Sequence, residues 1–295
     1  MSIRDQGYQP YRGPRTSATT RWGVVLRHTL RMGLRQPWAI VALSLGGVWA
    51  MGWAVALYLS MRLIASTPPG AGNELAIPDP AALAGTILVR WYGVPVFAFL
   101  MAMLVGGSTI ADDRRQNAFS FYFARSLGRD QYLIGKLAAT TLAVALISVG
   151  ASMLLVLSRL SLYRAGSDAV LPLVLLPVRA LALGLLESLA LAAPAVALSS
   201  LSPRRGLVQG GMAALFFLPA LLGAIATSLT RNPWPQLLSP MAQLEAVGAR
   251  LFGDASFAGE YPLPWLPALG VLGVTIVGSV ALVRWRLAAT EVVAG

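Results

Sequence analysis

Six apolar stretches, each close to the ~20 residues a helix needs to cross the hydrocarbon of a bilayer, limit what this chain can fold into. They run over about 37–60, 91–111, 131–157, 171–200, 207–229 and 265–283. Composition agrees with them. Of 295 residues 56% are hydrophobic and 12% are charged, about half the ~25% charged residues of a soluble protein. Mean hydropathy is +0.67. The expected fold class is an all-α integral membrane protein with six transmembrane helices, spanning residues 37–284 in all.

Local signals mark several helix ends and bends. Pro37 opens the first span where its missing N–H costs nothing. Trp91 and Tyr92 read as an interfacial belt at the start of the second. Pro172, Pro177 and Pro194 predict a kinked or broken fourth span. The pairs Gly46-Gly47, Gly106-Gly107 and Gly210-Gly211 predict close helix approach.

Residues 1–18 are polar and are expected to be a disordered tail. Residues 19–36 read as an amphipathic helix at about 100° per residue. Trp22, Val25, Leu26, Thr29, Leu30, Met32, Gly33 and Leu34 form one arc, and Arg21, Arg27, His28, Arg31 and Arg35 the other. Such a helix lies in the membrane interface, with His28 solvated. Seven arginines and no uninterrupted apolar core in residues 1–36 do not make a signal peptide.

Charge sets the expected orientation. With the N-terminus inside, 16 basic residues fall on the cytoplasmic side and seven outside or at outer helix ends. That bias places both termini in the cytoplasm, consistent with the shared sidedness that an even number of spans gives, and makes 285–295 a cytoplasmic tail. The outer loop 61–90 looks irregular. The outer segment 230–264 contains an amphipathic helix, Ser239 to Phe252, with Ser239 as N-cap and Gly253 as stop. That helix either rests on the surface or dips into the outer leaflet.

Little in the chain supports catalysis. It has no cysteine and one histidine, His28, so thiolate sites and Ser-His arrangements lack their residues. The Gly106-Gly107-Ser108 run has no histidine near it, and no HExxH helix is present. The nearest approach to a phosphate-binding loop, Gly128 to Lys136, has six residues between its glycines where four are needed. The chain is expected to be no enzyme, and to hold no metal or organic cofactor.

One water-adapted stretch lies between apolar ones: Ala111 to Lys136, with 111–131 as the loop proper. Asp112 and Asp113 end the second span and are placed to cap a helix running to Phe123. Arg114, Arg115, Gln116 and Asn117 keep it wet. Phe119, Phe121, Tyr122 and Phe123 are costly to leave in water, so lipid, their own chain or a partner must cover them. Gly128 breaks the helix, Asp130 is expected to cap the third span, and Arg125 to Lys136 form a hinge into it.

This stretch resembles the cytoplasmic loop of ABC-2-type transporter permeases, the membrane subunits of ATP-binding-cassette exporters. Asp113 stands at the family's acidic position and Phe119 to Phe123 at its apolar run. Arg125 and Arg129 match its two arginines, and Tyr132, Leu133, Ile134, Gly135 and Lys136 match its aromatic-apolar-apolar-Gly-Lys end. Asn117-Ala118 replaces the usual Gly-Thr, Ser126 the usual proline and Gly128 the usual serine. The resemblance implies a coupling helix that docks on a separate cytoplasmic ATPase, with Asp112, Asp113, Arg114, Arg115, Phe119, Phe121, Tyr122, Arg125, Arg129 and Lys136 as its site residues. It further implies two copies of that ATPase, carrying ATP and Mg, beneath a dimer of this chain or of this chain and a related permease. The location implied is the bacterial cytoplasmic membrane, with no role for nucleic acid.

Glu187 is the one acid deep in an apolar stretch, and such residues are candidates for a translocation path. Arg179, eight residues earlier and about 12 Å away along a helix, is the second candidate. The alternative function is a non-transporting membrane anchor or force-transmitting scaffold of an envelope complex. A secondary transporter would carry several midplane charges and inverted repeats, which the chain does not display.

Overall fold

The computed structural model describes residues 20–66, 94–123, 127–162, 170–252 and 262–289. The tail 1–18, most of the outer loop 61–90, the Trp91-Tyr92 belt, Arg125, Gly253 and the last six residues lie outside them. Among the described residues every regular element is helical. Six helices are long and apolar enough to cross a membrane: Pro37–Ser60, Pro95–Arg115, Arg129–Ser158, Leu175–Leu201, Arg205–Thr230 and Trp265–Ala288. Each expected apolar stretch contributes one of them.

The spans sort into two layers. The second, third and fourth bury 67%, 56% and 67% of their most apolar window, against 22% for the first, fifth and sixth. The inner layer is therefore held by protein contacts and the outer layer presents its apolar side chains outward. Val48, Leu229 and Val274 are largely exposed, and an apolar surface of that kind requires lipid. The third span is the hub, packing on the fourth, the first and the N-terminal helix.

Small residues allow the hub to form. A Cβ on Gly184 would stand 2.9 Å from the Val149 side chain, so the third and fourth spans meet there at backbone distance. Ser148 and Ser188 face each other across the same contact at 2.6 Å, and the Gly184 carbonyl lies within hydrogen-bond reach of both hydroxyls. Hydroxyls bonded in this way leave no bare polar group in a dry interface. The fourth span runs unbroken from Val170 to Leu201 through Pro177 and Pro194, so of the expected kink or break the break does not occur. In lipid an interrupted backbone has no water to bond, so the helix persists around each lost hydrogen bond.

The second span holds a feature its sequence does not announce. Residues Ala102–Gly106 form a π turn between Val94–Met101 and Gly107–Thr109. Of the three glycine pairs, Gly46 and Gly106 lie in tight contacts, whereas Gly47 and Gly210 face open space.

The N-terminal helix, Arg21–Leu34, is seated on the bundle through a narrow stripe. Only Thr29 and Gly33 are buried in it. A Cβ on Gly135 of the third span would meet the Trp22 carbonyl at 2.8 Å and Val25 at 2.7 Å. Met32, assigned to the apolar arc by periodicity, points outward. At the opposite end the outer helix, Pro240–Phe252, buries Gln243, Leu244, Val247 and Gly248 against the fourth and sixth spans. Ser239 caps it as expected, its Oγ accepting the Ala242 N–H at 3.3 Å.

Glycine contacts yield a direct test. An added Cβ at Gly106 would lie 2.7 Å from Ala195 Cβ and 2.9 Å from Thr140 Cγ2. Gly106→Ala is expected to cost about 1–3 kcal/mol through overpacking. Gly47→Ala, with nothing within 4 Å, is expected to be neutral or slightly stabilising. Thermal unfolding of the two variants in detergent compares them.

Candidate functional site

The site grows from the last turns of the second span. After the π turn, Ser108, Thr109 and Ile110 are buried against the third and fourth spans. The Thr109 hydroxyl donates to the Val105 carbonyl at 2.5 Å and lies 3.4 Å from that of Thr140. The Ile110 and Ala111 N–H groups both donate to Ser199 Oγ, at 2.8 and 2.9 Å. One hydroxyl of the fourth span thus satisfies two buried donors.

Three consecutive residues then reach three different spans. The Asp113 carboxylate lies 2.7 Å from Lys136 Nζ, and the Tyr132 hydroxyl donates to the same Oδ2 at 2.6 Å. Tyr132 and Lys136 are four apart on the third span, so their side chains share a face and converge. Lys136 also donates to the Thr109 carbonyl at 2.9 Å, and its ammonium stands 5.4 Å from the Tyr132 ring centre. Its side chain is only 6% exposed, so this pair is nearly dry. Asp112, turned onward by the helix, takes Arg205 at the start of the fifth span in a two-point contact. Arg205 Nε donates to Oδ1 at 2.6 Å, and Nη2 meets Oδ2. Arg114 donates to the Ser200 carbonyl at the end of the fourth span.

The pairs differ in strength. Removing one partner of a buried pair strands a charge and costs about 3–5 kcal/mol. Arg205 is 45% exposed, and a solvent-screened pair of that kind contributes roughly 1 kcal/mol or less. Arg115, near Asp112 at 4.0 Å and mostly solvated, adds little.

Asp112 and Asp113 therefore act as clasps between spans, and the capping role expected of them is not theirs. Nor does one helix run from Asp112 to Phe123. Ala111–Arg115 and Ala118–Phe123 are separate, divided at Asn117, whose φ of 52° is left-handed. Asparagine tolerates that conformation where most residues do not. Past the corner, Phe119 stands edge-on to Tyr132 at 5.8 Å and Tyr122 packs beside it at the same distance. Two of the aromatics expected to need cover thus cover the tyrosine that holds Asp113. Burial first, and the Asp113 charge second, push the Tyr122 phenol above its ordinary pKa, so it stays protonated.

The entry to the third span also departs from expectation. Gln131 reaches back to accept the Gly128 N–H at 3.2 Å, the return half of a capping box. Asp130 instead pairs with Arg284 of the sixth span at 3.3 Å. Arg129 opens the third-span helix. The Phe121 side chain and Arg125 are outside the described residues.

The structure does not bring Glu187 and Arg179 together. Glu187 is buried in the fourth span, and its Oε1 has no hydrogen-bond partner among the described residues. Arg179 lines a cavity that Glu187 does not reach. Sequence reasoning passed over Ser199, Ser200 and the pairing role of Arg205. The one available signal was the i, i+4 spacing of Tyr132 and the single lysine.

No protein-family model matches the chain, and no curated protein is similar to it. The reading of the site therefore rests on its geometry. Asp113→Asn is expected to destabilise the chain by about 3 kcal/mol, because it strands the Lys136 charge. Tyr132→Phe, which removes one hydrogen bond and keeps the ring, should cost about 1 kcal/mol. Thermal unfolding in detergent checks the order. Equal effects would contradict a buried ion pair.

Proposed function

We propose that this chain is the permease subunit of an ABC-2-type exporter in a bacterial cytoplasmic membrane. In this reading it forms a translocation pathway as a dimer and is driven by a separate cytoplasmic ATPase that docks on the loop 111–136. The observation that carries the reading is the triple attachment of Asp112, Asp113 and Arg114 to the fifth, third and fourth spans. A push on Ala118–Phe123 passes through Phe119 and Tyr122 onto Tyr132 and from there into the inner layer.

Arrangement of charge supports the same sidedness for loop and termini. The N-terminal helix meets Gly135, and the end of the sixth span meets Asp130 through Arg284. The loop, the N-terminal helix, the end of the sixth span and the turn before Arg205 gather at one end of the bundle. That end carries most of the arginines, as a cytoplasmic face does.

Affinity purification of the chain from its native membrane is expected to recover an ATPase subunit, and repeated recovery without one would sink the proposal. Asp112→Ala separates coupling from folding. It should cost no more than roughly 1 kcal/mol of stability, leave the ATPase bound, and lower the ATPase activity of the complex. Engineered single cysteines at Gln116 and Ser202 should both label only from the cytoplasmic side. The chain has no cysteine of its own to interfere.

A further inference from the structure

At the end of the bundle remote from Asp113, a cavity of about 690 Å³ opens between the fourth span, the outer helix Pro240–Phe252 and the sixth span. Arg179 lies 20 residues before Ser199 on the fourth-span helix, so the two ends are separated by about 30 Å. The walls are chiefly apolar, with Leu186, Leu251 and Leu269 among them. Two arginines, Arg179 and Arg250, also line it, and among the described residues no acidic side chain does. Arg250 stands over the Trp265 ring at 5.9 Å. Arg179 has no hydrogen-bonded or charged partner among the described residues.

Position makes those charges informative. Arg179 is the fifth residue of the apolar span Leu175–Leu201, about 6 Å inside its end. A guanidinium there is costly unless it reaches the headgroup layer or meets an anion. Guanidinium groups bind phosphate through two-point hydrogen bonds, and the adjoining walls suit acyl chains. We infer that this cavity is a binding site for an anionic phospholipid, its phosphate held between Arg179 and Arg250 and its chains lying along Leu186 and Leu269. The inference needs only the six spans and is independent of any coupling to an ATPase.

Native mass spectrometry of the purified full chain tests it, with phosphatidylglycerol and phosphatidylcholine of identical acyl chains as probes. Wild-type protein is expected to retain phosphatidylglycerol preferentially. Each of Arg179→Gln and Arg250→Gln should reduce that preference roughly fivefold, while Arg→Lys at both positions keeps most of it. Equal retention of the two lipids by the wild type would overturn the proposal without any variant. So would an unchanged preference in the doubly substituted chain. Displacement of phosphatidylglycerol by millimolar inorganic phosphate alone would also overturn it, since the site would then recognise a free anion and not a lipid. Should the glutamine variants fail to fold, Ala182→Trp fills the cavity and keeps both charges. Retained preference there would likewise count against the site.

Discussion

A single carboxylate in a nearly dry setting organises the loop end of this molecule. Asp113 is held by an ammonium and a phenol that project from one face of the third span. Each of these groups would be costly to bury alone. Together, with the Thr109 carbonyl taking another Lys136 proton, they leave no bare charge. The arrangement specifies which end of the second span meets which turn of the third, because no other pairing satisfies all of them. Everything outward of it, from the corner at Asn117 to the aromatics over Tyr132, depends on that carboxylate staying in place.

Inner and outer layers follow from different solvents. The second, third and fourth spans meet through glycine, alanine and serine, where close backbone approach and bonded hydroxyls replace the hydrophobic effect that lipid does not supply. The first, fifth and sixth spans keep large apolar side chains on their outer surfaces. The π turn lies in the inner layer, where Gly106 is pressed against Ala195 and Thr140. Immediately beyond it two adjacent N–H groups converge on Ser199, so the disturbance in one helix is absorbed by a hydroxyl from another.

Much of the architecture was legible in the chain because a bilayer imposes length and apolarity on each crossing. The six stretches and the Ser239 cap follow from local rules alone. The site was legible only in part. Asp113, Tyr132 and Lys136 stand out in the loop resemblance, yet nothing local says that they hold one another. The partners of Asp112 and Arg114 lie 93 and 86 residues away in the chain, and helical periodicity reports a face without its neighbour. Arg205 counted only toward sidedness, although it also clasps Asp112. The cost of the aromatics in water says that lipid, their own chain or a partner must cover them, whereas their packing on Tyr132 requires knowing that the chain turns at Asn117. Nothing in the sequence marks the π turn, since AMLVG is an ordinary helical run.

The left-handed corner at Asn117 has a consequence for gearing. It divides the loop into an arm clasped to three spans, Ala111–Arg115, and a second arm packed on Tyr132, Ala118–Phe123. At helical rise these measure about 7.5 and 9 Å. Arms so nearly equal give no mechanical advantage, so a shift of the second arm would arrive at the clasps at its own size. Any amplification would belong to the fourth-span helix, 32 residues and about 48 Å long, which Ile110, Ala111 and Arg114 hold at one extremity through Ser199 and Ser200. A small rotation at that grip would sweep the opposite half of the helix, where Arg179 stands, through a wider arc.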